Sequence, residues 1–436
     1  MIQRFKLSEL APDARIKLLR RAETDIRELL PLAQEVIDRV QTEGDAAVVD
    51  YTRRFDSPDF VASLLRTAPD DFAAARAALD AEVIAAIEAA HANILRFHSE
   101  QMPEPMWFTE VQPGIMAGEK ITPVASTGLY VPRGKGAFPS VMLMLATPAK
   151  VAGVPRIVVV TPPTPEGKPD AASLVAAEIC GVDELYAVGG MQAIAALAYG
   201  TETIPKVDKV IGPGSSYVSA AKRQLYGVID VGLPAGPSES IILADETIDP
   251  RLAALDLLVE AEHGPESAAL LVTHSPKVAD EAFAVLPEYI EALPEWRRNF
   301  VQNVLANYGG ILLTGSLDES IAFVNEYAPE HLEVLTAEPF VTLQKIHNAG
   351  EILLGPLTPI PTANYCLGLN AILPTGGFAR SFSSVSVWEF LKRSGIGYLS
   401  QEGYQRLQGV TATLADYEGF PAHAQAIRKR NEILGL

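Results

Sequence analysis

Cysteine is nearly missing from this chain: Cys180 and Cys366 are the two in 436 residues. Two cysteines give no disulfide framework, and neither lies in a C-x-x-C pattern, so a Cys-rich metal site is excluded and a reducing, cytoplasmic compartment is expected. Also missing is any uninterrupted apolar run of roughly 18–20 residues, the length a membrane-spanning helix needs. The start, MIQRFKLSELAPDARIKLL, is charged and lacks the continuous apolar core of a secretory signal. Positive charge is in deficit: 35 Lys and Arg against 54 Asp and Glu leave a net charge of −19. That balance repels phosphate backbones, so neither a nucleic-acid nor a membrane partner is expected. What is abundant is apolar: hydrophobic residues make up 48%, enough for a substantial core and, at this length, for two or three domains of roughly 100–200 residues each. There is no tandem repeat and no low-complexity linker.

Along the chain the hydrophobic period changes. Residues 1–100 read as mostly helical, with apolar residues at helical spacing in DIRELLPLAQEVIDRVQTEGDAAVVDYTRRFD and DDFAAARAALDAEVIAAIEAAHANILRFH. GIMAGEKITPVASTGLYVP then reads as two short strands with turns. From there strands and helices alternate: RIVVVTPP, ELYAVGG, KVIGPG, GVIDVGL and SIILADE read as strands between helices, and ALLVTHS, GGILLTGS and HLEVLTA repeat the pattern later. Such alternation predicts an α/β fold of parallel sheets covered by helices on both faces. A helical tail is expected after about residue 385.

Several stretches carry chemistry. LLVEAEHGPES (257–267) places Glu260 and His263 three apart at a helix end, with Gly264-Pro265 as the stop. Residues at i and i+3 share a helix face, so the two side chains can reach one metal ion; the ordinary alternative is a histidine favoured by the helix dipole. IGPGSSYVSAAKR (211–223) is a glycine turn entering a helix with Lys222 and Arg223, and AVGGMQAIAAL (187–197) has the same design. Helix N-termini behind such turns can hold phosphate, although neither stretch is G-x-G-x-x-G or a P-loop. APEHLEV (328–334) sets Glu330 beside His331, either a general acid/base pair or a solvated loop pair. ANYCLGLNAILPTGGFARSF (363–382) is a nearly uncharged loop of the kind that lines sites. EGFPAHAQAIRKR (418–430) puts Glu418 and His423 at the start of a terminal helix whose Arg428, Lys429 and Arg430 read as a solvated end.

Together STGLYVP, GPG…YV..AKR, LPAGPSE (233–239), LL..AEHGP, YAPEHLE, LPTGG.AR and the EG..AH tail resemble the histidinol dehydrogenase family, nearly end to end from GDAAVVDYTRRFD (44–56) onward. The resemblance implies a homodimer built on two Rossmann-like parallel-sheet domains with helical N- and C-terminal extensions. It implies zinc and NAD as cofactors, and two successive NAD-dependent oxidations that carry an amino alcohol through an aldehyde to the carboxylate. The implied organisation is an N-terminal helical arm (1–25), a catalytic and metal domain (26–128 with 239–385), an NAD-binding domain (129–238) and a helical tail (386–436) reaching into the partner's site.

Carried over by motif, the family's zinc ligands fall on Glu260, His263, Asn364 and His423. Two differ from the family's pattern, which has an amide on the helix and an acid in the loop; here these are exchanged, so the formal charge and the N/O donor set are kept. His331 matches the general base that takes the alcohol proton, and Glu330 the group that activates water on the aldehyde. Ser238 and Glu418 match substrate contacts, as do His331 and the four metal positions; Tyr130 and Gln192 match NAD contacts. Ser215 stands where the family has Asn, Pro132-Arg133-Gly134 where it has P-G-G, and Ala371 where it has a substrate-side histidine. These departures point to a polar alcohol other than histidinol. The alternatives are L-histidinol itself, a sulfopropanediol-type substrate met by Arg133 or Arg380, and a non-catalytic binding protein on the same fold.

Overall fold

The computed structural model describes residues 2–21, 26–133 and 136–436; Gly134 of the Pro132-Arg133-Gly134 departure, and 1 and 22–25 of the expected arm, lie outside the described residues. In chain order its strands are β1 Arg4–Lys6, β2 Met106–Gln112, β3 Ile115–Pro123, β4 Ser126–Tyr130, β5 Arg156–Thr161, β6 Leu185–Ala187, β7 Lys209–Ile211, β8 Glu239–Ala244, β9 Ala268–Thr273, β10 Gly310–Leu313, β11 His331–Leu335, β12 Glu351–Leu354 and β13 Leu391–Leu399. The chain divides into two units, Met1–Gln101 with Val124–Phe390, and Met102–Pro123 with Leu391–Leu436.

The first unit holds two parallel sheets, ordered β6-β5-β4-β7 and β1-β10-β9-β8-β11-β12. In each, the order runs outward on one side of the first-formed central strand and then switches to the other side, at β4 and at β8. This is the doubly wound arrangement, in which crossover helices cover both faces. Strand sequences such as ESIILA and AALLVT are buried at every position, as a sheet covered on both faces demands. One face of the six-stranded sheet packs Ile242 and Leu271 against Leu257, Ala261 and Val278; the other packs Ile241, Leu243 and Leu332 against Phe323 and Val324. Among the described residues no helix is long and apolar enough to cross a membrane.

Several expectations need correction. Residues 26–101 do not join the catalytic sheet. Ala33, Val36, Ile37 and Val40 form an i, i+3, i+4, i+7 stripe, and it packs with Ile194, Leu197 and Val210 over the four-stranded sheet. The arm is not purely helical, because β1 adds a parallel edge strand to β10 before the helix Pro12–Arg20. GVIDVGL forms isolated bridges rather than a strand; Gly227 and Gly232 sit at positive φ and interrupt it. Nor is the tail all helix. Its β13, LKRSGIGYL, pairs along its whole length with β3, giving the second unit an antiparallel β13-β3-β2 sheet followed by the helices Gln401–Tyr417 and Pro421–Leu434. Residues 386–390, expected in that tail, belong to the first unit.

Candidate active site

Ligands of doubly wound sheets collect at the carboxyl ends of the strands, beside the switch in strand order. In the four-stranded sheet that place is the junction of β4 and β7. Tyr130 ends β4, and Gly212 follows β7 so closely that a Cβ there would lie 2.0 Å from the Tyr130 carbonyl oxygen. The Tyr130 hydroxyl accepts the Gly190 N–H at 3.2 Å. Gln192, one turn into the helix Gly190–Tyr199, buries an Nε2 that has no hydrogen-bond partner. Ser215 is the N-cap residue of the helix Ser216–Leu225, and its hydroxyl makes no capping bond. Tyr130, Gln192 and Ser215 therefore all lie at the strands' carboxyl ends or on the helix starts after them, where the orphaned amide of Gln192 is free to meet a ligand. Lys222 has a different task from the phosphate contact its motif suggests: its Nζ donates to the Gly212 carbonyl at 2.6 Å, stapling the glycine turn to its helix. Burial lowers that amine to about 8.

In the six-stranded sheet the polar residues gather at the amino ends instead. The helix Pro250–Ala261 returns from β8 toward that end and delivers Glu260 and His263 there. Glu260 is fully buried, and its Oε1 accepts from Asn364 Nδ2 at 3.2 Å. His263 Nδ1 lies 3.2 Å from Glu260 Oε2 and 3.1 Å from the Val259 carbonyl. A bond from Nδ1–H to that carbonyl fixes the tautomer and leaves Nε2 with its lone pair, the usual second contact of a metal-bound imidazole. Two oxygens remain buried without hydrogen-bond partners, Glu260 Oε2 and Asn364 Oδ1. Such orphans, with an imidazole beside them, are the donor set a divalent cation satisfies. It comprises two His, Cys, Asp or Glu side chains and one amide; among the described residues no three of the former are placed to hold a metal ion by themselves. The fourth matched ligand, His423, and Glu418 belong to the second unit, near the start of Pro421–Leu434 and at the C-cap of Gln401–Tyr417.

His331 opens β11 and is nearly fully buried. Register places it opposite Glu351 of β12 and Ser240 of β8. Its Nδ1 meets Glu351 Oε1 at 2.6 Å, while Nε2 faces Glu330 Oε1 at 3.8 Å and Glu260 Oε1 at 3.9 Å. An imidazole held at Nδ1 by a carboxylate, with Nε2 directed into a site, is the arrangement of a general base. Burial alone would lower its pKa, but the carboxylates of Glu260, Glu330 and Glu351 outweigh that and push it up to about 10. For Glu330, burial raises the pKa well above the ordinary range; His331 pulls it down, and Glu260 and Glu239 push it up. Burial raises Glu260 too, yet His263 and His331, with hydrogen bonds from Asn364 and Ser238, overcome it and hold the carboxyl below its usual value. Beside this cluster opens a cavity of about 710 Å³, lined by Gly214, Ser216, Ser238, Glu239 and Thr375 among others. That lies within the roughly 300–1,000 Å³ typical of small-molecule sites.

Reasoning from sequence missed two members. Glu351 had one signal, a carboxyl opening the otherwise apolar strand EILL. Glu239 lay inside a quoted motif without a role; its N–H donates to Glu330 Oε2 at 2.8 Å, and burial pushes its own carboxyl up to about 7 against the pull of Arg21. Arg133 and Arg380, the expected anion contacts, are engaged with carbonyls: Arg133 with Pro163, Arg380 with Gly377 and Glu326.

Comparison with known proteins places the whole chain in one family. A model of the family described as histidinol dehydrogenase matches residues 19–431. A histidinol dehydrogenase of Synechocystis sp. is 58% identical, with all of both chains covered. A histidinol dehydrogenase homolog of Cereibacter sphaeroides is 53% identical, covering 97% of this chain and 96% of its own. Among solved structures, the crystal structure of histidinol dehydrogenase from Elizabethkingia anophelis superposes with a TM-score of 0.93 at 32% identity, covering 100% of this chain and 99% of that one. The chain therefore belongs to the histidinol dehydrogenase family, oxidoreductases acting on CH–OH groups.

Proposed function

We propose that the chain oxidises L-histidinol to the carboxylate through a bound aldehyde, passing one hydride to NAD at each of two steps. One observation carries this reading: a buried imidazole, His331, oriented by Glu351 at 2.6 Å and facing two further carboxyls beside an unsatisfied Glu260–His263–Asn364 donor set. His331 Nε2 takes the hydroxyl proton as hydride leaves the carbon. Glu330, its pKa raised, is a stronger base than an exposed carboxylate and removes a proton from the water that adds to the aldehyde, giving the gem-diol whose carbon yields the second hydride. Tyr130, Gln192 and Ser215 would hold NAD, which when bound would supply the hydride acceptor. A divalent ion such as zinc would be held by Glu260, His263 and Asn364, with the tail His423 supplied across the dimer interface as fourth ligand, and when bound would supply positive charge to polarise the substrate hydroxyl and offset the field of Glu260 at His331. Exposed apolar residues on the second unit, among them Trp107, Phe108, Val410 and Tyr417, suit a homodimer contact.

Charge selects the substrate class. Glu260, whose carboxyl is held below its usual value, and Glu351 bring negative charge to the site, which suits a cationic amino alcohol better than a sulfonate, while Arg133 and Arg380 are occupied elsewhere. A second reading, a different amino alcohol, rests on Ala371, which leaves a methyl where a substrate-side imidazole is expected. The test is NADH formation with L-histidinol and a panel of small alcohols, with and without chelator. The expected result is two NADH per histidinol and loss of activity on chelation. Turnover confined to another alcohol favours the second reading; no turnover and no co-purifying metal would leave a binding protein. Glu330→Gln is expected to slow aldehyde oxidation about 10²–10⁴-fold and to affect alcohol oxidation less, measured by supplying each substrate separately.

A further inference from the structure

The turn presenting Glu330 and His331 is strained. After the helix Leu317–Tyr327, Ala328 adopts φ 54° and ψ 67°, the left-handed region that a residue with a side chain rarely enters. Such a conformation persists where its surroundings fix it. The fixing group comes from the other end of the sequence. Arg21, following the helix Pro12–Arg20, itself sits at φ 60°. Its Nη2 donates to the carbonyls of Tyr327 and of Ala328, the latter at 3.3 Å. Its guanidinium carbon lies 3.8 Å from the centre of the Tyr327 ring. Its Nε is 2.8 Å from Glu239 Oε2, and the two side chains are only 6% and 4% exposed. Glu239 in turn accepts the Gly376 N–H on Oε1 and donates its own N–H to Glu330 Oε2 at 2.8 Å. One planar, five-donor group thus grips the strained turn on one side and the residue that holds Glu330 on the other.

We propose that Arg21 is a positioning residue, whose guanidinium locks the Tyr327–Ala328 turn to Glu239 and so fixes the Glu330 carboxyl beside His331. This rests on the reading of Glu330 given above. A simple buried ion pair requires neither the carbonyl contacts nor the stacking on Tyr327. Lysine separates the two roles, since an ammonium can face Glu239 but lacks the fork that reaches two carbonyls at once.

The test compares full-length wild type with Arg21→Lys, Arg21→Ala and Glu239→Gln, each assayed with the alcohol and with the aldehyde. For Arg21→Lys, kcat for aldehyde oxidation is expected to fall about 10–100-fold, the loss from a small misplacement of a catalytic group, while KM for NAD stays within about twofold. Added guanidinium is expected to restore part of the kcat of Arg21→Ala, and methylammonium to restore none. Amide exchange at Glu239 and Ala328 is expected to quicken in Arg21→Ala. Arg21→Lys keeping wild-type kcat overturns the proposal, as does a loss in Arg21→Ala with no guanidinium rescue and unchanged exchange at those two amides. Failure of wild type to oxidise any alcohol overturns the function itself, a distinct result.

Discussion

His331→Gln is expected to lower kcat for alcohol oxidation about 10²–10⁴-fold, the usual contribution of a positioned general base, with bound metal unchanged. Glutamine keeps a donor for Glu351, so the 2.6 Å contact at Nδ1 has a substitute and the fold around β11 is retained. It has no basic nitrogen to put in place of Nε2. The metal is expected to remain because His331 is not in the donor set: its Nε2 stands 3.9 Å from Glu260 Oε1, whereas Asn364 and His263 approach Glu260 at 3.2 Å. Single-turnover NADH formation reads the first hydride step, and metal analysis of the same sample reads the site. Loss of metal together with activity would make His331 a ligand, and the base would have to be sought elsewhere.

What could be read from the sequence follows from the range of the interactions involved. Parallel strands buried on both faces appear as unbroken apolar runs, so RIVVVT and ALLVT announced themselves, and the Gly-Pro after His263 marked a helix end that brings Glu260 and His263 to one place. Motif resemblance then selected Glu330, His331, Ser238 and Asn364, which the fold gathers around Glu260. The interactions that escaped join distant segments. LKRSGIGYL reads as a charged, glycine-broken stretch and becomes a strand through pairing with β3, nearly three hundred residues earlier. The helices of 26–101 carried a clear apolar stripe, but a stripe does not say which of two sheets it covers. Arg21 and Glu239 are 218 positions apart, and nothing local to either foretells their ion pair.

Glu333→Gln is expected to flatten the dependence of stability on pH. Glu333 lies two residues after His331 on β11, on the same face of the sheet, with Ile242 and Leu353 as its register partners. It is fully buried, and its carboxyl is paired with that of Asp256. Burial raises its pKa far above the ordinary range, and the charge of Asp256 raises it further; burial lifts Asp256 as well. The folded chain therefore keeps a proton that the unfolded chain releases near pH 4.3. With the folded value raised above the unfolded one, the stabilisation is complete below that pH and drains away as pH rises, at up to about 1.4 kcal/mol per pH unit while the two states differ by one proton. Set against a total stability of roughly 5–15 kcal/mol, a few pH units of such loss are a large share. A glutamine fills the same space, donates to Asp256 and does not ionise. Urea unfolding at pH 5, 7 and 9 should give similar midpoints for the two proteins at pH 5, and a widening advantage for the variant at 7 and 9. Parallel curves across that range would mean that Glu333 is ionised in the folded chain, held by a partner other than Asp256.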